Sequence, residues 1–343
     1  MIFDPILDLF RSKAITIPPL DGALQANTAL DDAPVLVGLT APDNLLWHEG
    51  RLLCSSGAEV LEVSEGKLIE VAEFPAEVTA LAVSPEGRLA VATDDGRLSE
   101  GGIAVPLPGE IGCITALAYG LDGALWLANG SARHPATGWV VDLMEHGASG
   151  SVWRRGRGAG FTREAANLAW PYGLLPDAGG VIVSESWRHR LVRLETGRVT
   201  PLLSDLPGYP ARLTPAPDGA WLAVFAPRNR LIEFVLQDKH YRRDMMAGIA
   251  REHWIAPALH SGQSFLEPMQ CGGIRMMGTH KAWSPSRSYG LVVRLDAGMA
   301  PKSSLHSRAD GRRHGVTSVV EAEGRVFMAS KGGNAVIVHK GGM

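Results

Sequence analysis

Cysteine is scarce in this chain: Cys54, Cys113 and Cys271 are the only three in 343 residues. An odd count without metal-ligand spacing argues against a zinc site or a disulfide framework, and fits free thiols in a reducing, cytoplasmic setting. Long uncharged apolar runs are missing too, and no stretch approaches the length needed to span a bilayer. The apolar N-terminal stretch from Ile2 to Phe10 is broken by Asp4, Pro5 and Asp8. It has neither a basic leader nor a small-residue cleavage site, so it does not read as a signal peptide. Charge of one sign is absent: the net charge is -3, which gives no global field to draw nucleic acid. The basic clusters Arg154-Arg155-Gly156-Arg157 and Arg312-Arg313-His314 are short enough to be solvated loops. There is no Gly-x-Ser-x-Gly elbow, Walker loop, dinucleotide fingerprint or His-Glu-x-x-His pair, so the commonest hydrolase, nucleotide and zinc-protease chemistries have no anchor here.

What the chain has is repetition. Five segments open Val78-Thr-Ala-Leu, Ile114-Thr-Ala-Leu, Pro171-Tyr-Gly-Leu, Ala211-Arg-Leu-Thr and Val316-Thr-Ser-Val. Each passes a Gly-containing turn and closes on a short apolar strand. A looser sixth copy runs from Asp43 to Cys54. A hairpin recurring about every 40 residues cannot bury its own faces and needs neighbouring copies to cover it, which is the mark of a β-propeller. Six copies predict six blades in an all-β fold, one ring over residues 1–343, with the first residue of each copy where the innermost strand meets the channel. Residues 1–40 form an N-terminal extension ending in the β-like run Val35 to Leu39. Pairing that run with the C-terminal strand would hide both open edges.

Blade 5 is irregular. Residues 228–289 read as a helical and loop insertion over the channel mouth, with Leu231, Phe234, Val235, Met245, Met246 and Ile249 near helical spacing. Basic residues around Arg242 and Arg243 leave two readings open, a peripheral membrane helix or a lid packed on its own propeller; the short stripe favours the lid. The Gly-, Ser- and Met-rich stretch from Ser261 to Ser288 reads as a mobile loop beside the mouth.

Several segments then resemble a known family. They are Ala41-Pro-Asp-Asn44, Asp142-Leu-Met-Glu145 with Gly150-Ser-Val-Trp-Arg154, Trp170-Pro-Tyr-Gly173, Ser184-Glu-Ser-Trp-Arg188 and Leu206-Pro-Gly-Tyr-Pro210. Their order and spacing resemble the strictosidine synthase-like proteins, in the branch of adipocyte plasma membrane-associated protein, with gluconolactonases and paraoxonases as more distant kin. The resemblance implies a six-bladed propeller with a ligand site in its channel. In the hydrolytic branch that site holds calcium, which wants six or more oxygen ligands. Carried over position by position, the blade 1 ligand falls on Asp43, the blade 3 Asn on Thr115, the Asn of Pro-Asn-Gly on Tyr172, and an Asp-Asn pair on Ala211 and Arg212. A guanidinium brings its own charge where a carboxamide should coordinate, so the calcium site is expected to be degenerate and no cofactor is expected. The acid-base glutamate of strictosidine synthase falls on Thr317, which argues against an alkaloid-type condensation.

The expected channel set is therefore Asp43, Asn44, Thr115, Asn129, Tyr172, Glu185, Arg212, His314 and Thr317. Within it Arg212 could act as an electrophile on a substrate carboxylate or oxyanion, or pair with Asp43 across the pore. His314 could serve as a general base; Cys113 could in principle be its nucleophile, but with nothing local to depress its pKa it reads as a buried inert thiol. Asn44, Thr115, Asn129, Tyr172, Glu185 and Thr317 would contact substrate. The expected function is metal-independent chemistry, ester or lactone hydrolysis by family weight, on a small anionic or carbonyl-containing molecule. The alternatives are a non-catalytic ligand-binding propeller and an interaction platform.

Overall fold

The computed structural model describes residues 16–261 and 286–340, with the short strands Arg275–Met276 and Thr279–His280 between them. Six four-stranded antiparallel sheets form a six-bladed propeller. The innermost strands of blades 1 to 6 are Pro42–His48, Val78–Val83, Ile114–Tyr119, Pro171–Asp177, Gly208–Ala216 and Val316–Ala322. The turns recognised in the sequence sit where each innermost strand reverses. Gly87 and Gly123 adopt φ of +79° and +76° there, a region that costs glycine nothing and other residues a good deal.

Second strands such as Leu125–Asn129 are buried along their whole length, because adjoining blades cover both faces. Small residues make this possible near the axis, as with Ala80, Ala82, Ala90 and Ala92 at the seam of blades 2 and 3. Outer strands such as Lys67–Glu73 are exposed. The ring closes through Val35–Gly38, which pairs antiparallel with Ala335–Lys340 in the register Val35 to Ile337 and Gly38 to Ala335. The N-terminal segment thus supplies the outermost strand of blade 6.

Blade 5 carries the insertion, with helices Arg230–Gln237 and Lys239–Gly248. Each starts on a side-chain cap: Asn229 accepts from the amides of Leu231 and Ile232, and Asp238 from those of His240 and Tyr241. Ile232, Val235, Leu236 and Met245 are the buried stripe, packed into the core of blades 5 and 6. Phe234 and Ile249, expected on that stripe, are instead half exposed. Among the described residues no helix is long and apolar enough to cross a membrane. The connection between Leu125–Asn129 and Gly150–Arg155 also contains a short helix, Trp139–Met144. Cys271 and most of the Ser261–Ser288 stretch lie outside the described residues.

One buried group ties stability to pH. His306, fully buried in the outermost strand of blade 5, is held by Ser304 and Tyr289, and burial pushes its imidazole down to about 4 from an ordinary 6.5. Below the ordinary value the unfolded chain binds a proton that the folded chain refuses, so stability is complete above it and is lost as the pH falls toward about 4. Urea midpoints across that window should decline with acidification, and His306→Gln should flatten the decline. An unchanged slope in the variant would refute the assignment.

Candidate functional site: a bridged channel and its aromatic mouth

All six innermost strands break register close to their start. In blades 2, 3, 4 and 6 the ladder skips one residue: Thr79, Thr115, Tyr172 and Thr317. In blade 5 it skips Ala211 and Arg212, and in blade 1 Asn44 and Leu45. Asn44 holds φ at +54°, a left-handed conformation that Asn tolerates better than most residues. A bulge turns a side chain off the ladder and frees its carbonyl, so the same device in every blade delivers channel-facing groups. The second residue of each hairpin copy, not the first, is the one released.

Arg212 uses what the other bulges release. One guanidinium nitrogen donates to Asp43 Oδ1 of blade 1 at 2.7 Å. The other donates to the freed carbonyls of Thr79 and Thr115, in blades 2 and 3, at 2.7 and 3.3 Å. The guanidinium lies 4.9 Å from the ring centre of Tyr172 in blade 4, a cation–π contact. Blade 6 completes the cluster: Thr317 donates to Asp43 Oδ1 at 2.8 Å, and Lys331 Nζ lies 3.3 Å from Oδ2 and 3.2 Å from Glu77. Every blade therefore contacts one buried cluster.

Burial alone would push the Asp43 carboxyl up, but Arg212, Lys331, the Thr317 hydroxyl and the Asn44 amide together hold it below the usual range. Burial would likewise lower Lys331, yet Asp43, Tyr172 and Glu77 hold its ammonium above the ordinary value. The cluster carries two cations and two carboxylates. A calcium ion does not fit these residues, since cationic nitrogens face both Asp43 oxygens and like charges repel strongly where water is scarce. Among the described residues no group of three or more His, Cys, Asp or Glu could hold a metal.

Above the cluster lies a cavity of about 180 Å³, walled by Trp139, Trp170, Tyr172 and Phe225. Trp187 stacks behind Trp170 with centroids 5.2 Å apart, and buried Asp142 accepts from its indole N–H at 2.8 Å. Asp142 and Trp139 both come from the short helix Trp139–Met144, so that helix builds the wall. Glu77 and Lys331 line the cavity with side chains 37% and 20% exposed, the cluster's charged groups nearest to solvent. Thr79 lines it too, its hydroxyl without a partner among the described residues.

Of the nine expected residues, Asp43, Thr115, Tyr172 and Arg212 line this cavity, and Thr317 supports it from below through Asp43. Asn44 faces a second cavity at the other end of the channel. The structure does not bring the remaining three into the mouth. Asn129 binds the amides of Gly112 and Cys113 and the carbonyl of Ser131, bracing a loop. Glu185 is ion-paired to Arg188 and Arg190 and accepts from the amide of Ala169. His314 is held by Ser288 at Nδ1 and by the Arg308 carbonyl at Nε2, both at 2.7 Å, so the expected general base stands with both ring nitrogens engaged. Burial pushes the Cys113 thiol up to about 12, which leaves it inert. The sequence reading missed Lys331, Glu77 and Thr79; the last occupies the same second position as Thr115 and could have been found from it.

No family model and no curated protein matches this chain. Among solved structures it is similar to a gluconolactonase of Xanthomonas campestris, with a TM-score of 0.53 and 16% identity over 95% of each chain. It is also similar to the calcium-binding protein regucalcin of Agrobacterium tumefaciens, with a TM-score of 0.53 and 15% identity over 93% of this chain and 96% of that one. The chain shares their fold. At such identities the likeness extends to architecture and does not reach the ligands of the site.

Removing one partner of the central pair should be far costlier than removing both. Asp43→Ala or Arg212→Ala alone should lose about 3–5 kcal/mol by stranding a buried charge, and the double variant should recover much of that loss. Chemical denaturation of the three variants measures the coupling; purely additive losses would show that the pair does not bridge the blades.

Proposed function

We propose that the channel mouth binds a small, uncharged ring compound bearing a carbonyl or similar acceptor, and that it does so without a metal. The observation that carries this reading is the aromatic-walled cavity set on a cluster whose charges offset one another. A free carboxylate gains little there, because the guanidinium of Arg212 is committed to Asp43 and to two backbone carbonyls. Contact with a substrate carboxylate, one of the two roles open to Arg212 from the sequence, therefore gives way to a weaker demand. A neutral ring stacks on Trp139 and Trp170 while its carbonyl oxygen accepts from the Lys331 ammonium or the Thr79 hydroxyl.

A second reading, hydrolysis, is favoured by the position of Glu77. Its carboxylate lies 3.2 Å from Lys331 at the solvent side of the cavity. There it could take a proton from a water attacking a carbonyl polarised by Lys331 and return that proton to the ring oxygen as its bond to the carbonyl carbon breaks, leaving an acid and an alcohol. The name of the Xanthomonas neighbour makes lactones the natural first compounds to try.

Titration of small lactones and cyclic ketones, followed by tryptophan fluorescence, should give saturable binding. Lys331→Met should weaken it about tenfold or more, since a charge-assisted hydrogen bond is lost. A panel in which only carboxylates bind, or in which Lys331→Met has no effect, would defeat the binding reading. Turnover that disappears in Glu77→Gln while binding persists would support hydrolysis. A chelator should leave both the melting temperature and the affinity unchanged, because a metal bound only to the native state would stabilise it by mass action; a drop of several degrees would show that an ion is held.

A further inference from the structure

The basic run Arg154-Arg155-Gly156-Arg157, read from the sequence as a solvated loop, does not stand in solvent alone. Arg155 and Arg157 close one side of a cavity of about 410 Å³ at the seam of blades 2 and 3. The other side comes from blade 2: Glu86 and Arg88 at the turn after its innermost strand, and Glu100 at the end of its third strand. No residue lines both this cavity and the aromatic mouth.

The charges here form a chain that does not cancel. Arg157 pairs with Glu86 at 2.7 Å, Arg88 with Glu86 at 3.4 Å and with Glu100 at 2.8 Å, and Arg155 with Glu100. Three guanidinium groups thus face two carboxylates, which leaves one positive charge over. Tyr119 in the same wall adds no charge, because burial, and after it the Glu100 carboxylate, push its hydroxyl up to about 12. Arg154 is paired with Asp122 and does not line the cavity.

Donors are left over as well. A guanidinium carries five N–H groups, yet among the described residues Arg155 and Arg157 each engage only Nη2, and Arg88 only Nε and Nη2. These side chains are within reach of a solute: Arg157 is 66% exposed, Arg88 52% and Arg155 21%. Two of them are seated by glycine. A Cβ on Gly123, where φ is +76°, would stand 2.6 Å from Nε of Arg157, and one on Gly101 would stand 3.3 Å from Cδ of Arg88. Arg155 lies 5.4 Å from the ring centre of Phe161, a cation–π contact. Groups held in place before a ligand arrives lose less freedom when it binds.

We propose that this cavity is a phosphate site, taking inorganic phosphate or the phosphate group of a small ester. Planar guanidinium forks match its oxygens in pairs and keep their charge at any working pH. The unbalanced positive charge favours an anion over a neutral guest. No covalent bond is made or broken, and the site does not rest on what the aromatic mouth binds.

Calorimetric titration of the full chain with inorganic phosphate, in a buffer free of other oxyanions, should show one saturable site. A parallel titration with glycerol 3-phosphate separates the two sources: an ester bound more tightly uses the rest of the cavity, and an ester bound no better leaves the free ion as the ligand. Arg155→Met should weaken phosphate binding about tenfold, since a charge-assisted fork is lost. If that variant misfolds, Arg157→Met at its more exposed position should weaken binding about threefold. Glu86→Gln should tighten binding, because a competing carboxylate is gone. Arg97→Met, whose side chain is 75% exposed and outside the cavity, should change nothing. No saturable binding, an equal loss in Arg97→Met and Arg155→Met, or weaker binding in Glu86→Gln would overturn the proposal.

Discussion

A guanidinium placed on the propeller axis is the constraint on which this molecule depends. Six blades packed by apolar seams still leave a polar channel, because every innermost strand begins with a bulge that sheds a carbonyl or a side chain into it. Such groups are costly unless paired. Arg212 supplies donors in a planar fork, a charge that burial does not remove, and a flat face for Tyr172. Lys331 adds a second positive charge against Asp43. The two together bring the same formal charge that a calcium ion would, but they are built into the chain, so the pairing forms whenever the ring closes.

This arrangement shapes the chemistry on both sides. Above Arg212, charge is already balanced and the walls are aromatic, which is the basis for proposing neutral ring compounds there rather than anions. The wall is furnished by Trp139–Met144, where Asp142 fixes Trp187 and Trp187 backs Trp170. Below Arg212 the innermost strands present leucines to a second cavity, beside Asn44, Thr214 and Ser318. Arg212 lines both cavities, one on either side of it, within a single channel.

The architecture was legible because hairpin repetition with Gly-containing turns leaves few other ways to cover so many apolar strands. The pairing of Asp43 with Arg212 was one of two readings the sequence left open, since both fall near the start of an innermost strand and a buried Arg needs a partner. Lys331 and Glu77 escaped notice because they lie in connections outside the repeated hairpins, where no period marks them. Asn129, Glu185 and His314 were misplaced for a related reason. A buried polar residue at the end of a strand serves a loop as readily as a ligand, and only coordinates show which groups its atoms reach. The helix Trp139–Met144 was hidden by its brevity and by Gly138 at its start, which offers no side-chain cap.

The central claim is that two internal cations hold Asp43 ionised at the axis. A carbon-13 NMR titration of the Asp43 carboxyl tests it most directly. The carboxyl should titrate below the value of about 3.9 usual for aspartate, with a marked upward move in Arg212→Met. A wild-type carboxyl titrating at or above the usual value would contradict it.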